Sequence, residues 1–308
     1  MPDHHTLAPG DSVGFVGLGN MGEPMVRRLL GGGFRVRGYD VVPEHGADLE
    51  GVDGYVRAAD IPELVEGAEA VVLMLPNSAV VDQVLVGDGL LDTMAAAGRG
   101  AVLVDMGSSM PRETVRMHAV AAEKGVELVD APVSGGVPAA REGTLSVMVG
   151  GSRALFERVE PALSLIGSHV GLVGDIGAGH ALKAINNLLS ASTLVASAEA
   201  MTIGKAFGLG PETMMDVINE SSGRSWSTMT KWPRYIIPGN FDSGFAMELL
   251  LKDIRIAAGL AEDLGVAAPH ADLTVELYRR AVEELAPGAD HTDIHRWVEQ
   301  RAEASDAS

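Results

Sequence analysis

Cysteine is absent from all 308 residues. That excludes a disulfide framework, a cysteine-ligated zinc site and a thiol nucleophile together, and it fits a cytoplasmic location. Basic residues are scarce: 23 Lys and Arg stand against 42 Asp and Glu, for a formal net charge of −19. A chain this acidic repels nucleic acid and anionic membranes, so neither is expected as a partner. The N-terminus MPDHHTLAPGD lacks a basic stretch followed by an apolar run and does not read as a signal peptide. The most membrane-like window, residues 184–203, carries Asn186, Asn187, Glu199 and many small hydroxyl residues. It reads as a buried helix between domains rather than a bilayer span.

What is present is an ordinary globular composition, 46% hydrophobic and 21% charged, at a length that suits two domains. Short apolar runs at 12–16, 34–39, 70–75, 101–105, 126–130 and 145–149 read as strands. The run AVVLML at 70–75, closed by Pro76, is the kind of strand that is buried on both faces. Helical patterns intervene at 21–30, 61–66, 80–85 and 111–124, the last with Ser109 as its expected N-cap. Strands alternating with helices predict an α/β, Rossmann-like, doubly wound parallel sheet. From His180 onward the pattern turns helical, over 181–207, 211–219, 245–264 and 269–284. The expected division is a dinucleotide-binding domain over 1–176 and an all-α domain over 177–308, entered by a long helix. Residues 221–244 read as an irregular loop, and the tail from about Ala302 as fraying.

Gly17-Leu18-Gly19-Asn20-Met21-Gly22 fits the GxGxxG fingerprint in the context the motif needs, between a strand and a helix. Gly17 permits the tight turn, Gly19 lets backbone N–H groups approach a pyrophosphate, and Gly22 allows close helix–strand packing. The second strand ends at Asp40, at the spacing of the carboxylate that holds the adenosine ribose hydroxyls. A carboxylate there repels a 2′-phosphate, and Val41, Val42 and Pro43 follow it without an arginine, so NAD is expected over NADP. The competing reading makes Asp40 a turn residue before Pro43.

The long helix opens GAGHALKAINN over 177–187. Lys183 and Asn187 are four apart and share one face. Burial of Lys183 beside a positive helix end would favour its neutral form and suit proton transfer to and from a hydroxyl. A lysine snorkelling at the helix edge is the plainer alternative.

Four segments, GLGNMGEPM (17–25), DAPVSGGVPAAREG (130–143), GAGHALKAINN (177–187) and KDIRIA (252–257), resemble in order and spacing the signatures of the β-hydroxyacid dehydrogenases. The resemblance spans about residues 12–285 and implies a Rossmann-like domain followed by a helical one. It places Lys183 on the catalytic lysine and Asn187 on a substrate-holding residue. Ser134, Gly135 and Gly136 fall on the segment that binds the substrate carboxylate, and Lys252 on a lysine close to substrate and nicotinamide. Backbone N–H groups at Ser134-Gly135-Gly136 can form an anion nest. Leu75 and Pro76, at a strand end, and Ser108, where relatives carry threonine, are further implied cofactor contacts. Gly107 departs from the usual serine.

The activity so implied is NAD-dependent hydride transfer to and from a small 3-hydroxycarboxylic acid by a homodimer or homotetramer. The motif SSGRSW at 221–226 is most similar to the 3-hydroxyisobutyrate dehydrogenase branch, although 231–245 is shorter than in that branch. Reduction of tartronate semialdehyde, glyoxylate or succinic semialdehyde stays open, as does a non-catalytic NAD-binding regulator. Retention of Lys183 argues against the imine reductases of the same architecture. His291 and His295 have helical spacing but no third ligand nearby, so no metal is expected. His180 reads as a capping or packing residue that could tune Lys183. Trp226, Trp232 and Tyr235 could wall a pocket or anchor a core.

Overall fold

The computed structural model describes residues 5–306. The first four residues of the N-terminal segment and the last two of the tail lie outside them. The chain divides into two compact units, Met1–Lys183 and Ala184–Ser308.

The first unit is built on a nine-stranded sheet. Strands β1 (Ser12–Val16), β2 (Arg35–Tyr39), β3 (Tyr55–Arg57), β4 (Ala68–Leu73), β5 (Val102–Asp105) and β6 (Glu127–Asp130) run parallel in the order β3-β2-β1-β4-β5-β6. This is the doubly wound order in which loops at the strand C-termini bind dinucleotides. Alternate residues feed two cores. Val13, Phe15, Val72 and Val104 pack on one face of the sheet, with helices α1 (Gly22–Gly31) and α7 (Arg153–Ile166). Val16, Val71, Leu73 and Leu103 pack on the other, with α2 (Ile61–Val65), α3 (Ser78–Asp82), α4 (Leu90–Ala97) and α5 (Pro111–Glu123). Burial on both faces explains why these strands read as continuous apolar runs.

Beyond β6 the sheet departs from the all-parallel expectation. Strand β8 (Leu145–Gly150) runs antiparallel to β6 and to the two-residue β7 (Val133–Ser134), to which α6 (Gly136–Glu142) connects it. A connection that short cannot make a parallel crossover. Strand β9 (Gly167–Gly174) pairs parallel to β8 at the edge.

Ser109 does not cap α5. The cap position is Met110, whose N–H donates to Ser78 Oγ at 2.8 Å, while Ser109 Oγ donates to the buried carboxylate of Asp105 at 3.2 Å. The helix expected over 80–85 is α3 followed by a π-helical turn, Gln83–Gly87.

Helix α8 (Ala178–Phe207) is 30 residues long. In the second unit it is amphipathic rather than wholly buried: Ala191, Leu194, Val195, Ala198 and Met201 face a core, while Ile185, Leu189 and Ile203 are exposed. That core also takes residues from α9 (Pro211–Asn219), α10 (Met247–Asp263), α11 (Pro269–Glu284) and α12 (Ile294–Asp306). Tyr278 Oη donates to the Ala191 carbonyl at 3.2 Å, and Trp232 Nε1 to Ser197 Oγ at 2.9 Å. The loop expected over 221–244 contains a π-helix, Ser227–Ile236. Pro233 has no N–H to give an α-helical ladder, and the chain widens, with Ile237 N–H reaching the Trp232 carbonyl at 2.9 Å. Helix α12 carries the tail on to Asp306, where fraying is expected from the sequence. Among the described residues no helix is long and apolar enough to cross a membrane.

Candidate active site

The glycine loop leaves β1 at its C-terminal end and enters α1. Gly17 has φ +95°, and a Cβ there would stand 2.3 Å from the Met74 carbonyl oxygen. A Cβ on Gly22 would stand 1.8 Å from the Gly17 oxygen. Both glycines are therefore demanded by the chain's own packing. Gly19 is different: the nearest atom to a Cβ would be His45 Cε1 at 3.6 Å. Its open face is the approach a pyrophosphate needs, and no side chain caps the start of α1. The loop thus fits a dinucleotide.

Asp40, at the end of β2, accepts the Leu18 N–H at 2.7 Å and the Val42 N–H at 2.8 Å, with His45 Nδ1 3.1 Å away. Burial pushes its carboxyl up, but those two N–H groups and His45 outweigh burial and hold it below the usual range. It therefore stays ionised where the loop meets β2. The structure also brings Arg57, from β3, to this corner: its guanidinium donates to the carbonyls of His45 at 2.7 Å and Val42 at 3.4 Å. Sequence spacing hid this cation, because β3 is only three residues long and lies well downstream.

Leu75 and Pro76 follow β4, and Ser108 follows β5, at the same C-terminal edge of the sheet. A Cβ on Gly107 would stand 2.4 Å from the Leu75 oxygen, so in this backbone the departure from serine is a steric necessity. Ser134 ends β7 half-buried. Gly135 and Gly136 are exposed with φ of +133° and +70°, a pair that turns successive amides outward at low cost only without side chains.

Lys183 lies in the second turn of α8 and is half-buried. The start of this helix is held by Asp130, whose side chain is 0% exposed. Asp130 Oδ1 accepts the Gly177 N–H at 2.7 Å and Oδ2 the His180 N–H at 2.8 Å. A negative charge at a helix N-terminus is favourable in itself. Two glycines make room for it: a Cβ on Gly150 would stand 2.4 Å from Oδ1, and one on Gly179 would stand 2.7 Å from Oδ2. The His180 ring is fully buried, 2.8 Å from Thr114 Oγ1, with Nδ1 3.6 Å from Asp130 and Nε2 3.9 Å from Asp105. Sequence reasoning singled out His180 but neither aspartate. Their signal was a carboxylate closing each of two buried strands.

In the second unit, Asp253 joins two of the expected residues. Asn187 Nδ2 donates to its Oδ2 at 2.6 Å, and Lys252 Nζ lies 3.1 Å from its Oδ1. Asp253 is buried, so the Lys252–Asp253 pair is not a surface ion pair. His291 and His295 serve the fold. His291 Nδ1 is 3.1 Å from the Phe245 carbonyl, and the His295 ring packs edge-on against Trp232 at 4.6 Å.

Lys231, in the π-helix, is missing from the sequence-derived set. It is buried, and Nζ donates to Ser190 Oγ at 2.9 Å. Burial pushes its ammonium down to about 8, against the opposing pull of Asp290. Burial and the charge of Lys231 in turn push His291 down to about 4.

A GxGxxG loop on a doubly wound sheet, with an acidic residue closing the second strand, defines a dinucleotide-binding protein. Residues 12–174 match the NAD binding domain of 6-phosphogluconate dehydrogenase, and residues 177–298 match the NAD-binding domain of NADP-dependent 3-hydroxyisobutyrate dehydrogenase. The chain belongs to the β-hydroxyacid dehydrogenase family. It is 40% identical to 2-(hydroxymethyl)glutarate dehydrogenase of Eubacterium barkeri, over 86% of this chain and 87% of that one. It is 32% identical to the mitochondrial 3-hydroxyisobutyrate dehydrogenase of Mus musculus, over 96% and 89%. The structure of Mycobacterium tuberculosis 3-hydroxyisobutyrate dehydrogenase with L-serine superposes with a TM-score of 0.84 at 32% identity, covering 94% of this chain and 99% of that one.

Two stability experiments follow from these contacts. Asp130→Asn keeps the shape but turns an amide donor toward a buried N–H, and is expected to cost about 2–4 kcal/mol in urea unfolding; a cost within about 0.5 kcal/mol would show that Asp130 does not anchor α8. Lys231 is lowered in the folded state from 10.5 to about 8, so between those pH values the unfolded chain binds more protons and stability rises with pH. Below pH 8 the full cost of burying the charge is present. Lys231→Met is therefore expected to stabilise the protein at neutral pH by up to about 3 kcal/mol, with the gain fading by about pH 10. Equal stabilisation at both pH values would contradict this account.

Proposed function

We propose that this enzyme oxidises a small 3-hydroxycarboxylic acid to its semialdehyde, with NAD as hydride acceptor and Lys183 as the general base, and that the same groups serve the reverse reduction. Residues 1–176 form the dinucleotide-binding domain and 177–308 the helical domain for substrate and oligomerisation. The observation that carries the reading is the anchoring of α8. Asp130 closes β6, and the GxGxxG loop leaves β1 at the same C-terminal edge of parallel strands. Lys183 follows the anchored residue His180 by three positions, so its helix is fixed to the edge where the cofactor loop lies.

Ser134, Gly135 and Gly136 receive the substrate carboxylate, supported by the positive φ of the two glycines. Lys183 holds and then takes the hydroxyl proton, and Asn187, one turn on and oriented by Asp253, steadies the hydroxyl. Lys252 is assigned by resemblance to the substrate and nicotinamide end. Gly17, Leu18, Gly19, Asn20, Met21, Gly22, Leu75, Pro76 and Ser108 are assigned to the dinucleotide. When bound, the nicotinamide supplies the hydride chemistry, and the chain supplies orientation and a proton path.

Both 3-hydroxyisobutyrate and 2-(hydroxymethyl)glutarate, named by the relatives, are 3-hydroxypropanoates that differ in the substituent on carbon 2. A substrate of that form is the reading supported best. The ionised Asp40 supports NAD over NADP. A cytoplasmic location, where a dinucleotide pool is available, and a homodimer or homotetramer belong to the same reading. Exposed Ile203, Phe207, Val217 and Trp226 in the second unit support association.

Reduced-cofactor formation across a panel of 2-substituted 3-hydroxypropanoates tests the assignment. Lys183→Ala is expected to lower kcat by about 10²–10⁴-fold while the cofactor still raises the melting temperature. Undiminished turnover in that variant would remove Lys183 from the chemistry. Asp40→Asn keeps an acceptor for Leu18 but loses the charge, and with Arg57 close by should raise the NADP-to-NAD ratio of kcat/KM by about tenfold or more. An unchanged ratio would separate Asp40 from cofactor choice.

A further inference from the structure

The His45 ring touches two features that a bound dinucleotide also needs. Its Nδ1 lies 3.1 Å from Asp40 Oδ2, and its Cε1 and Nδ1 lie 3.6 and 3.7 Å from where a Cβ on Gly19 would stand. In a doubly wound fold the adenosine ribose takes the space between such features. Its hydroxyls lie on the acid that closes the second strand, and its pyrophosphate lies over the second glycine of the loop. The ring is 45% exposed and rests on a carboxylate that is 9% exposed. All these residues belong to the first unit.

The acceptors of Asp40 are nearly used up. An ionised carboxylate accepts at about four sites and donates at none. The Leu18 N–H and the His45 ring take Oδ2, and the Val42 N–H takes a site on Oδ1. Asp40 is held ionised, so His45 Nδ1 carries the proton of their contact. About one site is left, whereas the adjacent hydroxyls of a ribose offer two donors. Leu18 and Val42 donate from the main chain and cannot withdraw without moving the glycine loop or the turn after β2. His45 withdraws by rotating a side chain. The turn it leaves is held by main-chain groups: the His45 N–H donates to the Val42 carbonyl at 3.1 Å, and Arg57 donates to the carbonyls of both residues.

We infer that His45 competes with the adenosine ribose for Asp40. Ring and ribose use the same carboxylate oxygen and the same face of Gly19, so one leaves as the other arrives. The fraction of molecules with the ring turned away scales the affinity for the dinucleotide, and the returning ring hastens its release. The inference concerns the cofactor site alone and stands whether or not a hydroxy acid is the substrate.

Calorimetry with ADP-ribose, which carries the adenosine ribose but no nicotinamide, tests the competition without turnover. His45→Ala is expected to bind ADP-ribose about five- to tenfold more tightly than the wild type, and to release NADH more slowly by a similar factor in stopped-flow displacement. Nicotinamide mononucleotide, which lacks that ribose, is expected to bind both proteins equally. Equal or weaker binding of ADP-ribose by His45→Ala overturns the proposal. So does an equal tightening toward the mononucleotide, which would point to an altered loop rather than a freed carboxylate. In the wild type, the His45 ring resonances are expected to shift when ADP-ribose is added and to stay in place with the mononucleotide. Ring resonances that ADP-ribose leaves unmoved overturn the proposal without any variant.

Discussion

The position of helix α8 depends on one buried carboxylate. Asp130 is wholly enclosed at the end of β6, and it ties two backbone amides, 177 and 180, to the sheet. A helix N-terminus has amides with no partner in its own ladder. A side-chain acceptor there satisfies two of them. Because those two bonds are buried and reach amides three residues apart, they fix both the height and the rotation of the first turn of α8. The rotation in turn sets the direction in which Lys183, in the second turn, faces. The His180 ring, wedged between Asp130 and Asp105 and against Thr114, fills the space beneath that turn with polar atoms.

Much of the first unit was legible in the sequence, because its signals were physical and redundant. Strands buried on both faces have to be continuously apolar, and β1, β4, β5 and β6 were read within two residues. What was not legible was short or edge-bound. Strands β3 and β7 have three and two residues, too few for any period to show. Only one residue of strand β9 is buried, and Gly, Ser and His dilute its pattern. The cap of α5 was misassigned because Ser109 is drawn to Asp105, a competitor that only the fold supplies.

The site shows the same division. The loop at 17–22 was visible because its glycines recur at a fixed spacing between a strand and a helix, whereas the turn at 134–136 was reached only through the family resemblance, and its positive φ values show in the fold alone. Residues that act through others were not. Asp253 orients Asn187 and meets Lys252 across a buried carboxylate, yet in the sequence it is one more acid in an acidic chain. Arg57 reaches the Asp40 corner from a neighbouring strand. Lys231 sat in a stretch that looked irregular, and only the π-helix shows that it is enclosed.

Gly150 and Gly179 bear on how this sequence can change. Each stands where a single added carbon would strike a carboxylate oxygen of Asp130. While the aspartate is present, neither glycine can gain a methyl group. Its loss would not free them, since a Cβ on Gly179 would still stand 2.2 Å from the Met148 carbonyl oxygen and one on Gly150 2.9 Å from that of Asp175. The dependence between residues 130, 150 and 179 therefore runs one way: the aspartate needs both glycines, while backbone atoms hold the glycines in place without it. A descendant of this fold that abandoned the anchor would keep both glycines and have to close the hole around the freed amides from other positions.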